Sequence, residues 1–93
     1  MITSEAGCMR VSGPVLMANA AEVKAAGEEA LSTGVALVDL AGVTEVDSSA
    51  VAILLAWTRL ARERGQPFAI AAVPPAVRSL AALYGVADML PLA

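Results

Sequence analysis

The chain has 93 residues, of which 58% are hydrophobic and 16% charged, with a formal net charge of −3. That length holds one domain, and that apolar content excludes a disordered chain. The acidic balance and the lack of a basic cluster exclude a nucleic-acid surface, whose phosphates demand a Lys/Arg footprint.

The apolar residues are mostly Ala, Val and Leu, with one Trp, one Tyr and one Phe. Each buries little area, so the expected core is thin. Cys8 is the single cysteine. It excludes an internal disulfide and reads as a buried structural thiol in a reducing compartment. The opening MITSEAGCMRVSG has no basic start followed by an apolar core, so no signal peptide is expected. The longest apolar run, residues 50–57, is far short of a membrane span. A cytoplasmic protein without membrane insertion of its own is the expectation.

In chain order, Gly7 divides two short segments in which Met9 and Val11 alternate with Arg10 and Ser12, a weak hairpin signal ended by Gly13-Pro14. Asn19 with Glu22 three residues on approximates a capping box and opens a helix over residues 20–32. Lys24 pairs with Glu28 on its wet face, Val23, Ala26, Ala30 and Leu31 point inward, and Gly34 stops it. Residues 35–40, VALVDL, read as a strand buried on both faces, with a loop over 41–46. A helix over 48–64 follows, closed by Gly65 and Pro67. Residues 68–72 read as a second buried strand. Pro74-Pro75 opens a helix running to Tyr84, with Gly85 as its stop, and VADML adds a short turn. Strand–helix–strand units give parallel neighbours with right-handed crossovers. The fold class is therefore α/β, a small mixed sheet covered by about four helices.

The chemistry concentrates where residues 44–50, TEVDSSA, meet an apolar run. Asp47 is the expected N-cap, and Ser48 and Ser49 lie in a first turn whose backbone N–H groups lack partners. The bland role for Asp47 is a cap alone. A sharper one follows from position. The turn stands at the carboxyl end of a parallel strand, where α/β folds place their sites, and a helix N-terminus favours added negative charge. Ser48 is thus the candidate partner-binding or phosphoacceptor residue, supported by Asp47, Ser49 and Glu45. The run AVAILLAW shows no polar face for two turns. That makes Val51, Leu54, Leu55 and Trp57 a candidate apolar interface, unless neighbouring helices cover them.

Enzyme chemistry finds little support. The chain contains no His, which removes Ser–His and Cys–His nucleophile systems, and it has no Gly-rich phosphate loop. Asp39, Glu45 and Asp47 lie too close along one segment to read as a separated acid and base, and they are a weak metal signal. No cofactor or metal is expected.

The arrangement of Val38, Asp39, Leu40, Val43, Val46, Asp47, Ser48 and Val51 resembles the STAS domain family, which includes anti-sigma-factor antagonists. The likeness covers nearly the whole chain. The C-terminal LAALYGVADMLPL, with Leu80, Leu83, Tyr84 and Leu90-Pro91, is similar to the MlaB-type branch, which serves phospholipid-transport ABC systems. Ala50 departs from the glycine of the family pattern. The resemblance implies a non-enzymatic accessory subunit that binds an ABC-transporter ATPase subunit, held at the inner membrane through that partner. The alternative it implies is a phospho-switch in which an anti-sigma-factor kinase modifies Ser48. In either case Ser48 lies at the interface.

Overall fold

The computed structural model describes residues 1–92. At its start, Ala6 and Gly7 both take positive φ, 52° and 80°. That is the backbone of a tight two-residue hairpin, and it folds β1 (Ile2–Glu5) back onto β2 (Cys8–Val15) as an antiparallel pair. The chain then alternates helix and strand: α1 (Ala20–Ser32), β3 (Leu37–Val46), α2 (Ser48–Glu63), β4 (Ala69–Ala71) and α3 (Pro75–Leu83). A 3-10 turn over Ala87–Met89 follows. The sheet order is β1-β2-β3-β4, with β2, β3 and β4 parallel. This is the expected mixed sheet, carrying three α-helices and one short turn among the described residues.

The strand order advances in one direction, so right-handed crossovers place α1 and α2 on the same face. Burial follows. Met9, Val11 and Val15 on β2 and Val38 and Leu40 on β3 are buried under the helices. Arg10, Ser12 and Ala41 are exposed on the opposite face, and Leu37 and Asp39 are half-buried there. The expectation that residues 35–40 are buried on both faces is thereby corrected: among the described residues no helix crosses to the second face. Cys8 also lies half-buried rather than sealed in the core.

A second correction concerns residues 41–46, which are strand and not loop. They pair with β2 through Ser12↔Gly42, Gly13↔Val43, Pro14↔Glu45 and Val15↔Val46. The register shifts between Arg10 and Ser12 and again between Gly13 and Pro14, each time with the extra residue on β3. Pro14, expected to end the strand, is accommodated at such an irregularity because it has no N–H to contribute to a regular ladder. Bulges increase local twist and re-aim the strand. These two carry the end of β3 directly into α2.

The helices pack through small contacts. On α1, Val23, Gly27, Ala30 and Leu31 are buried, while Ala26, expected inside, is exposed. Lys24 and Glu28 pair at 2.9 Å as expected. Gly27 gives room to Trp57 of α2, which is 1% exposed and donates its Nε1–H to the Lys24 carbonyl at 3.1 Å. From α3, Val77 and Ala81 close the other flank of the core. Pro91 accepts the Ile70 N–H at 2.9 Å, and Leu92 bridges to Ile70, so the C-terminal segment covers the edge of β4.

Candidate functional site

The first turn of α2 is built on Asp47. Its backbone is extended, with φ −133° and ψ −168°, as a cap residue requires. Oδ1 accepts the Ser49 N–H at 2.9 Å and also the Ser49 hydroxyl. Oδ2 accepts the Met17 N–H, from the loop between β2 and α1, at 2.9 Å. The Ser49 hydroxyl and then the Met17 N–H hold the Asp47 carboxyl below the ordinary 3.8. Hydrogen bonds to the charged form favour it. Asp47 therefore does more than cap a helix. One ionised side chain ties the start of α2 to the start of α1.

The adjacent serines have separate fates. Ser49 commits its hydroxyl to Asp47 and is half-buried, whereas Ser48 stands exposed as the first residue of α2. Glu45 is exposed one strand step earlier, opposite Pro14. Glu45 near the end of β3, and Ser48 with the Asp47–Ser49 pair just after it, thus lie on one rim at the carboxyl ends of β2 and β3.

The apolar candidates on α2 divide. Val51, Leu54 and Trp57 are only 3%, 3% and 1% exposed, so they belong to the core and not to an interface. The reason is tertiary: α1 and α3 flank α2 and cover these sides. Leu55 alone remains half-buried, on a stripe with exposed Ser48, Ala52 and Arg59 at helical spacing. Through the apolar run the outward side is narrow, with Ala52 exposed and Leu55 and Ala56 half-buried. Leu55 itself packs partly against the core.

Sequence reading missed Met17 and misassigned Asn19. Met17 is 73% exposed beside the Asp47–Ser48 turn. Asn19 makes no side-chain cap to α1. It instead takes the Leu16 N–H and gives to the Pro14 carbonyl, both at 2.9 Å. The available signal was the apolar Met17 in a segment fitting no strand or helix period.

The rim has no depth for a substrate. The void beneath it, lined by Val15, Val46, Ala50 and Ile53 among others, measures about 20 Å³, far below the volume of a small-molecule site. Among the described residues no three of His, Cys, Asp and Glu group as metal ligands, and no helix is long and apolar enough to cross a membrane. What the arrangement offers is a hydrogen-bonded surface turn on which Ser48 stands exposed.

A mixed sheet carrying its helices on one face, with an exposed serine opening the second helix, fits the STAS domain class. A family model described as "Mlab, STAS domain" matches residues 1–91, and the chain belongs to this family. No curated protein sequence matches it. Among solved structures, the anti-sigma factor antagonist SpoIIAA in its unphosphorylated form superposes with a TM-score of 0.72 at 16% identity, over 100% of this chain and 86% of that one. An anti-sigma factor antagonist from Mycobacterium paratuberculosis gives 0.75 at 24% identity, over 99% and 81%. A serine-to-glutamate variant of Moorella thermoacetica RsbS gives 0.56 at 22% identity, over 99% and 85%. These likenesses establish the fold.

Proposed function

We propose that the chain is a non-enzymatic accessory subunit that binds the ATPase subunit of an ABC transporter of the phospholipid-transport type, and supports its assembly and activity. On this reading it is cytoplasmic and reaches the inner membrane only through its partner. The observation that carries the reading is exposed Ser48 on a rim rigidified by Asp47, with no ligand-sized void beneath it. The family match to the MlaB-type model supports the choice of partner. Co-expression with such an ATPase subunit, with each protein folded, tests it. A stable co-purifying complex is expected, and separate elution of the two folded proteins refutes the reading.

The structural likeness to antagonists of anti-sigma factors favours one second reading, a switch phosphorylated on Ser48 by a partner kinase. The α2 N-terminus would stabilise a phosphate there, but ionised Asp47 and nearby Glu45 oppose it. A phosphate would also add close to two negative charges that a docking partner must desolvate. Phosphorylation on this reading is an off-signal. Intact-mass analysis of protein from its native cells distinguishes the two: a substantial singly phosphorylated population supports the switch, an unmodified chain bound to an ATPase the adaptor.

A further inference from the structure

Two polar side chains at helix starts hold the loop between β2 and α1, Asn19 in place of capping α1 and Asp47 with the oxygen left over from capping α2. Asn19 uses both its oxygen and its nitrogen on Leu16 and Pro14, each at 2.9 Å, and leaves α1 without a side-chain cap. Asp47 reaches from the start of α2 to take the Met17 N–H at 2.9 Å. The uncapped start of α1 is the local rule broken here, and such departures mark segments whose shape serves function. The loop so held keeps Leu16 half-buried and turns Met17 outward, 73% exposed. The other large apolar side chains exposed among the described residues are Met1, Leu83, Tyr84 and Met89. None of those is hydrogen-bonded to the Asp47–Ser48 turn.

We infer that Met17 is the apolar anchor with which the Ser48 face enters its protein partner. The inference rests on the reading of that face as the surface for an ATPase subunit, and it states what the subunit must bring: an apolar pocket of methionine size with Lys or Arg at its rim. The pocket follows from the side chain and its support. Methionine is unbranched and fills irregular clefts, and a loop already fixed by hydrogen bonds loses little further freedom on docking. The basic rim follows from charge. The two segments joined by the Asp47–Met17 bond, residues 14–22 and 43–49, carry Glu22, Glu45 and Asp47 and no cation, and the nearest lysine along α1, Lys24, is paired with Glu28 at 2.9 Å. Glu22 and Glu45 are exposed, while Asp47 has both oxygens engaged within the fold. An apolar centre with Glu22 and Glu45 around it is complemented by an apolar pocket with cations around it.

Titration calorimetry and stopped-flow binding of the whole chain to the purified ATPase subunit test this. Met17→Ala raises Kd by about tenfold or more, the behaviour of an anchoring residue, while Met17→Leu stays within a few-fold. The melting temperature of the free chain is unchanged in both, because the side chain lies in solvent. Glu22→Lys with Glu45→Lys slows association and reverses its salt dependence. If the wild-type chain binds and Met17→Ala binds within about twofold of it, below the threshold of an anchoring contact, the anchor is refuted while the ATPase reading stands. If association is unaffected by the double charge reversal, the basic rim is refuted. If the wild-type chain does not bind, both readings fall.

Discussion

Replacing Gly27 with Ala is the most demanding test of the packing. In an exposed helix the change would stabilise by about 1 kcal/mol through helix propensity. Here a methyl on Gly27 would stand 2.1 Å from Trp57 Cζ2 and 2.2 Å from Cε2. Carbon atoms in contact need about 3.5–4.0 Å. The ring cannot retreat freely, since Trp57 is 1% exposed and its Nε1–H is bonded to Lys24 O at 3.1 Å. Overpacking costs about 1–3 kcal/mol, and orphaning a buried donor about 1–3 kcal/mol more. Against the propensity gain, the net loss is about 3 kcal/mol. A domain of this size commands roughly 5–14 kcal/mol in total, so the expected fall in Tm is roughly 12–24 °C. Thermal unfolding followed by Trp57 fluorescence measures it, and Gly27→Ala combined with Trp57→Leu should lose less than the two single losses added together. A Gly27→Ala protein that melts at or above the wild-type temperature refutes the packing argument.

Trp57 should emit as a buried indole and resist acrylamide quenching in the folded chain, becoming accessible only on unfolding; easy quenching under native conditions would contradict its placement between α1 and α2. Ser48→Ala should change stability by no more than about 1 kcal/mol, the scale of a first-turn contact, whereas Ser48→Tyr should weaken partner binding with the fold intact. Asp47 supplies the pH dependence. Its folded pKa is depressed below the ordinary 3.8, so its contribution is fully present above pH 3.8 and is lost as pH falls through the lower folded value. Asp47→Asn should therefore lower stability at neutral pH and flatten the loss below pH 3.8, read from urea midpoints across that range; an acid slope as steep as wild type would assign the linkage to other carboxylates.

The sequence alone disclosed the order of elements because the signals that set them are local. The stop of α1 and the starts and stops of α2 and α3 follow Gly34, Asp47, Gly65, Pro75 and Gly85, residues that act on their own backbone; Asn19 stands at the start of α1 but serves the loop before it. Asp47 and Ser48 were legible for the same reason, since a cap and the residue after it are neighbours in the chain. Tertiary structure decided which apolar residues are covered. Residues 41–46 became strand by pairing with β2, and one face of β3 stayed bare because both crossovers lie on the other. Val51, Leu54 and Trp57 went into the core because α1 and α3 flank α2, and Gly27 was chosen by a ring thirty residues away. Met17 joined the site through a hydrogen bond spanning the same separation. Local preference can write helices and turns, but it carries no term for what a side chain will meet after the chain has closed. Burial and partnership between distant residues exist only once that closure brings them together.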